Sequence, residues 1–446
     1  MPVRYLHRMR INRVPALALL PLLSACDLDT LLEAKDPFTV TPDVARDTAN
    51  LETLYAGARA QFALGYGGWQ NREGGIVMVA GLMSDELYSS DNFNTRRAVD
   101  TRTIDYEISN ASSDHAFQYL QRARAEALNA IDLYAASPRA GNPRHAELFT
   151  IAGYSVLILV ENFCTGIPLS RISESGVEFG VPLSSAELYD VAISYFDQAL
   201  AQPNGGAVQQ NLARIGKARA LLDTEQFTAA AQLVAQVPTS FAFQIEYAGG
   251  SFYTPNPIFN MNNEEKRISV SLQEGTGNRG LPYGTVAATD PRIRISAQSV
   301  ASNSGDVPAW LQLKYSTQGA DIPLATGVEA RLIEAEALLD KGSSAAYLAT
   351  LNTLRATIGL GSLSDPGTPA GRVDQFFAER AYWLWLTGHR LSDLRRLIRQ
   401  YGRTQAEVFP TGTTPYDIPY GTDVTLPVPF EEINNPNYTT CTERGA

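Results

Sequence analysis

The chain has 446 residues, 44% of them hydrophobic and 19% charged, with a formal net charge of −11. That composition supplies a large core and excludes a fibrous or disordered chain. The acidic balance excludes nucleic-acid binding, which needs Lys and Arg to neutralise phosphates, and adhesion to anionic lipid headgroups through charge.

Residues 1–25 read as an export leader that is removed. Arg4, Arg8, Arg10 and Arg13 precede an apolar run beginning near Val14, with no acidic residue among them. Leu23-Ser24-Ala25-Cys26 closes the run. A basic segment, a short apolar segment and small residues at a cleavage point make a secretory signal. The tetrapeptide resembles a bacterial lipobox, which implies cleavage before Cys26 and lipidation of its thiol and new amino group. The bland alternative is a chance cysteine after an ordinary signal. Loss of the four leader arginines leaves a mature charge of −15. Each buried acyl methylene contributes about 0.8 kcal/mol, and more than one chain anchors stably. The longest later apolar stretch, Ile151 to Val160, falls well short of the ~20 residues of a spanning helix and predicts a core helix.

Residues 26–44, polar and broken by Pro37 and Pro42, read as a tether to a single body over 45–446. In the N-terminal helical part (45–240), Leu51, Leu54, Tyr55, Ala58 and Phe62 follow the spacing of a helix with one buried face, broken at Gly65, Gly67 and Gly68. Ser89 to Arg102 lacks helical periodicity and reads as an exposed loop. Phe117, Leu120, Ala123, Ala127, Ala130, Ile131 and Tyr134 make a second stripe, ending at Ser137-Pro138. A third helix is expected from near His145 to about Asn162. Ser184 and Glu187 form a capping-box pattern ahead of Leu188, Val191, Ala192, Tyr195, Phe196 and Ala199. Ala213 to Leu222, then Phe227 to Val237, read as a helix pair whose second member resembles a tetratricopeptide repeat at Phe227 and Ala230. A similar pair recurs at Val328 to Leu339 and Ala345 to Leu354. Such pairs bury their faces only by stacking, so about four are expected. Between them the irregular part (241–325) is rich in Gly, Pro, Asn, Tyr and Ser, and only short runs such as Ile268 to Leu272 alternate at period two. The fold class is therefore mainly α: a scaffold of tetratricopeptide-like helix pairs, an irregular loop-rich region and a few short strands.

The C-terminal part (326–446) carries a series of motifs. Val328-Glu329-Ala330-Arg331-Leu332-Ile333-Glu334-Ala335-Glu336-Ala337 resembles a helix of the SusD/RagB family, with Gly327 and Val328 in place of its opening Arg-Tyr. Leu351 to Ala356, Glu379-Arg380 followed by Gly388 to Arg396, Leu426-Pro427-Val428-Pro429 with Asn435-Pro436, and Asp290-Pro291-Arg292 resemble further family motifs in the right order. The resemblance implies an outer-membrane lipoprotein facing the cell exterior, held to the membrane by its lipid anchor. It would capture a glycan, or a peptide, and deliver it to a TonB-dependent transporter without doing chemistry.

Site chemistry agrees in kind. Of the histidines, His115, His145 and His389 remain after cleavage, and none has metal-ligand spacing; no nucleophile elbow or phosphate loop occurs. No cofactor or metal is expected. Asp85-Glu86 could be read as a glycosidase carboxylate, which would make a surface glycan-degrading enzyme; Ser84 and Asp85 read more simply as caps. Arg390 and Asp393, at i and i+3, read as a structural pair, and Arg395, Arg396 and Arg399 as a solvated face. Trp383 and Trp385 read as core. Sugars present apolar faces, so flat aromatics in loop-like contexts are candidate ligand contacts: Trp69, Tyr283 and Trp310, with Tyr66 and Tyr88 weaker. If none of them binds, the chain is a helical scaffold lipoprotein. With Cys26 lipidated, Cys164 and Cys441 are left either to pair in an oxidising compartment or to lie apart as buried thiols.

Overall fold

A computed structural model describes residues 50–446 apart from 70–73, 174–175, 251–254, 274 and 439. Cys26, the leader and the whole tether lie outside the described residues. The principal helices are α1 (Leu51–Tyr66), α2 (Ile76–Met83), α3 (Asn94–Asp100), α4 (Ala111–Ala135), α5 (Pro143–Asn162), α6 (Ser185–Leu200), α7 (Gly206–Asp223), α8 (Phe227–Val234), α9 (Gly327–Asp340), α10 (Ser344–Ala356), α11 (Pro369–Trp383) and α12 (Arg390–Arg399).

Four helix pairs form the scaffold: α1 with α4, α5 with α6, α7 with α8, and α9 with α10. Side chains cap the starts of α4, α5 and α6, and the capping box at Ser184 and Glu187 is the one the sequence predicts. Asn110 caps α4 by accepting from Ser112 N at 3.1 Å. Asn142 caps α5 by accepting from His145 N at 2.9 Å, with Pro143 in the first turn. Ser184 and Glu187 form a complete capping box on α6. Each such cap satisfies orphan backbone donors and is worth about 1 kcal/mol. The stripe Phe117, Leu120, Ala123, Ala127, Ala130, Ile131 and Tyr134 is buried throughout. Large apolar side chains in such stripes contribute about 1.5–3 kcal/mol apiece when fully buried.

The Phe196 ring of α6 shows why small residues sit where they do. Gly153 of α5 and Gly216 of α7 both face it; a Cβ on Gly153 would approach ring atom Cε1 to 2.8 Å, and one on Gly216 would collide with Cζ. The two glycines let three helices close around one aromatic ring. Across the irregular part, α8 packs on α9, so the stack continues through an insertion of nearly ninety residues.

The strands are short and paired in twos. β1 (Leu87–Ser89) pairs antiparallel with β3 (Ile268–Val270), and β2 (Ala242–Ile245) with β4 (Ile322–Thr326). The period-two run does form a strand at 268–270, but both its faces are buried. Helix α2 is buried on every side, as an all-apolar helix must be.

One segment departs from the sequence reading. Ser89 to Arg102 is not an exposed loop: it contains α3, and Ser89, Ser90, Asp91, Arg96 and Asp100 are buried. Its polar side chains satisfy one another instead of water. Asp91 accepts from Arg96 Nε at 3.0 Å, and Asp100 accepts from Ser89 N at 2.9 Å. No helix of the described residues is long and apolar enough to cross a membrane.

Candidate ligand-binding site

The main cleft lies between α1 and the chain that leaves β2. On α1, Ala56, Ala60 and Ala63 fall one helical turn apart and present methyl groups only. Opposite stand Ile245, Glu246, Tyr247 and Pro255, and the enclosed space is about 410 Å³. That is within the range of small-ligand pockets, about 300–1,000 Å³. β2 is set against the scaffold by its register with β4, Ile245 opposite Ile322. Tyr247 N is fixed by Asp321 Oδ1 at 3.1 Å. A Cβ on Gly67 would collide with Tyr247 Oη, so glycine at the end of α1 is what lets this ring close the cleft.

The floor is polar, with one guanidinium set between two carboxylates. Arg59 Nε lies 3.2 Å from Glu147 Oε1, and Arg59 Nη2 lies 3.4 Å from Glu246 Oε2. Glu147 also accepts from Tyr55 Oη at 2.8 Å and from Gln209 Nε2 at 2.7 Å. Burial pushes the Glu147 carboxyl up, while Arg59 and the two hydrogen bonds pull it down. Burial, then the adjacent Glu147 charge, raises the Tyr55 phenol well above its usual range, so its proton stays in place. Tyr247 Oη is buried and has no hydrogen-bond partner among the described residues, whereas the Glu246 side chain is 74% exposed. Apolar walls, one guanidinium and one accessible carboxylate match a ligand with apolar faces and hydroxyl edges. Among the described residues, no group of His, Cys, Asp or Glu is placed to hold a metal ion.

The same architecture recurs among solved structures. A SusD superfamily protein from Bacteroides thetaiotaomicron VPI-5482 matches with a TM-score of 0.66 at 14% identity, over 89% of this chain and 100% of that one. Another from Bacteroides vulgatus ATCC 8482 matches at 0.66 with 17% identity, over 89% of this chain and 98% of that one. The fold is that of the SusD superfamily. A SusD-like carbohydrate binding protein from Bacteroides vulgatus ATCC 8482 also matches, with a TM-score of 0.57 at 15% identity, over 78% of this chain and 83% of that one. No protein-family model matches the sequence, and no curated protein does.

The SusD fold distributes the sequence-predicted residues unevenly. Trp69 is half-buried and directly follows Gly68, which lines the cleft. Trp310 is half-buried elsewhere. Its backbone N donates to Ser269 Oγ at 2.8 Å, and it does not line the cleft. Tyr283 offers no platform: its ring is fully buried, stacked on Trp385 at 6.3 Å and edge-on to Tyr382 at 6.0 Å. Tyr66 and Tyr88 are buried as well, and Trp385 is core. Cys164 and Cys441 form a disulfide with a Cα–Cα distance of 5.7 Å.

Arg390 and Asp393 do not pair with each other. Arg390 grips Asp85 through Nε and Nη2 at 2.6 and 2.8 Å, and Asp393 accepts from Arg380 Nε at 2.8 Å. Nor are Arg395 and Arg396 solvated. Arg395 donates to the carbonyls of Val160 and Glu161 at the end of α5, Arg396 meets Glu336, and only Arg399 is partly exposed. Asp85 caps no helix; it binds Arg390 and the Leu281 N–H at 2.8 Å, while Ser84 turns back to Gly81 O. Asp85 and Glu86 are each 1% exposed and stand outside the cleft.

Sequence reasoning missed Arg59, Glu147, Glu246 and Tyr247. The one available signal was the small-residue row Ala56, Ala60, Ala63, which leaves room on a face that a packed helix would fill.

Glu86 makes a pH prediction. Its Oε1 accepts from Leu386 N at 2.9 Å and its Oε2 has no partner. Burial pushes its carboxyl up to about 8 from 4.5, the Leu386 bond opposing and Asp85 adding. A carboxyl raised on folding gives stability that is full below its unfolded pKa and is lost as pH rises through about 8. Glu86→Gln is therefore expected to gain on the wild type across that window, by up to about 1.4 kcal/mol per pH unit. Urea unfolding of both proteins at pH 5 and pH 8 measures it; a difference that does not change with pH contradicts it.

Proposed function

We propose that this protein is a lipid-anchored receptor on the outer-membrane surface. It binds an oligosaccharide in the cleft between α1 and Tyr247 and passes it to a TonB-dependent transporter. The observation that carries the reading is the cleft itself, about 410 Å³ with alanine walls and with Tyr55, Arg59 and Glu246 among its polar lining. Sugar C–H faces fit the Ala56, Ala60 and Tyr247 surfaces, and hydroxyls can accept from Arg59 and donate to Glu246. The lipobox-like Cys26 and the SusD fold support the location and the partner. Binding and release need no covalent step, and the buried positions of Asp85 and Glu86 remove the residues on which a glycan-degrading reading rested.

The test is a glycan array and then calorimetric titration, using the soluble chain from Asp27 onward. Ala60 is exposed on the cleft wall, so Ala60→Trp fills the cleft without touching the core. Ala60→Trp is expected to weaken binding at least about tenfold, Trp69→Ala to weaken it about three- to thirtyfold, and Trp310→Ala to leave it unchanged; tenfold corresponds to about 1.4 kcal/mol. A peptide as the only ligand replaces the substrate class. Equal affinity of Ala60→Trp and wild type removes the cleft from the account.

A further inference from the structure

The charges around the α1 cleft do not cancel. Arg59 and Glu246 are the charged groups of its lining. Three more stand directly behind it: Glu147 on Tyr55 and Arg59, Asp321 on the Tyr247 N–H, and Arg144 over the Tyr55 ring at 5.2 Å. Arg144 in turn meets Glu52, which also holds Arg139. Arg59, Arg139 and Arg144 therefore face Glu52, Glu147, Glu246 and Asp321, and one carboxylate is in excess. Glu246 is the one left over. Arg59 turns Nε to Glu147 at 3.2 Å and reaches Glu246 only at 3.4 Å. Glu147 is closed off by Tyr55 and Gln209. Glu246 makes no other polar contact among the described residues, and its side chain is mostly exposed.

An ionised carboxylate can only accept hydrogen bonds. An ammonium answers it in charge and in donors, and such a charge-assisted bond is roughly twice as strong as one between neutral groups. The cleft walls add to this: Ala56, Ala60, Ala63 and Ile245 are apolar, and low-dielectric walls focus the field of a charge between them. A ligand carboxylate meets the opposite situation. It has to share Arg59 with Glu147 and Glu246, and it enters against the excess negative charge. We propose that Glu246 makes the cleft selective for sugars carrying a protonated amine, with neutral sugars bound less tightly and uronates least. The proposal rests on the cleft being the sugar site and adds the class of sugar it takes. The amine stands in for one hydroxyl at Glu246, and Arg59 keeps its bond to Glu147.

The experiment presents the mature chain, from Asp27 onward, with matched sets of oligosaccharides on an array and then by calorimetric titration. Each set keeps one backbone and changes one group; the glucose set is cellotetraose, the β-1,4 glucosamine tetramer and the β-1,4 glucuronate tetramer. At about pH 6, where carboxylates are ionised and amines protonated, the amine member of the set that binds is expected to be at least about tenfold tighter than the neutral one, and the uronate at least about tenfold weaker. The preference shrinks as salt rises. Glu246→Gln is expected to lower the amine-to-neutral ratio below about threefold, and an unchanged urea midpoint shows that the variant is folded. A neutral or uronate member that binds as tightly as its amine counterpart overturns the selectivity and leaves the receptor reading intact. An amine preference that survives Glu246→Gln overturns the role of Glu246. Binding of no sugar in any set overturns the receptor reading, and the selectivity with it.

Discussion

Replacing Arg390 with alanine is expected to remove about 3–5 kcal/mol of stability, the cost of breaking a buried ion pair from one side. Its guanidinium holds Asp85 through two hydrogen bonds of 2.6 and 2.8 Å, and both side chains are nearly inaccessible. The variant leaves the Asp85 carboxylate buried with the Leu281 N–H as its remaining donor. The pair joins the turn after α2 to the first residue of α12, 305 positions away. Arg390→Lys is expected to recover less than half of the loss, because an ammonium cannot reproduce the two parallel hydrogen bonds. Asp85→Ala should be about as damaging as Arg390→Ala, and the double variant less damaging than the two added together. Urea unfolding of the four proteins measures this. A loss below about 1 kcal/mol for Arg390→Ala contradicts the assignment and places the pair among exposed bridges.

Removal of the disulfide by Cys164→Ser with Cys441→Ser is expected to cost about 2–5 kcal/mol. The bond spans 277 residues, so it removes a great deal of freedom from the unfolded chain. It also clamps a junction built from backbone hydrogen bonds: Cys164 N donates to Leu426 O at 2.8 Å, and Thr165 N and Thr442 N bond to Glu443 O and Thr165 O. Without it, hydrogen exchange of Thr165 and Thr442 should accelerate more than that of α4, because the C-terminal strap opens before the scaffold does. Reduction of the wild type should reproduce the effect. Equal urea midpoints for the oxidised and reduced proteins would show that the bond carries no stability.

The helical scaffold was legible because its signals are local. Ser184 announces the start of α6 through a side chain that reaches only three residues ahead, and a stripe such as Phe117 to Tyr134 repeats within one helix. What escaped depends on residues far apart. Arg395 and Arg396 carry the pattern of a wet helix face, yet Arg396 meets Glu336 from α9 and Asp223 from α7, and Arg395 finds the end of α5. The charge of a side chain does not say whether a partner is waiting inside. α3 was hidden for the same reason, since its polar residues are satisfied around Asp91 rather than by water. Tyr283 shows the converse: flanking proline and glycine suggest a loop platform, and Trp385 turns the ring into core. The cleft was least legible, because Arg59 and Glu147 are 88 positions apart and Tyr247 is placed by strand pairing with the chain near Ile322.

The most direct measurement is the structure of the protein crystallised with an oligosaccharide that it binds on the array. The account predicts sugar density along α1 between Ala56, Ala60 and Tyr247, with hydroxyls within hydrogen-bond distance of Arg59 and Glu246. Sugar bound at another surface, such as the exposed ring of Phe93, with the α1 cleft holding none, would contradict it.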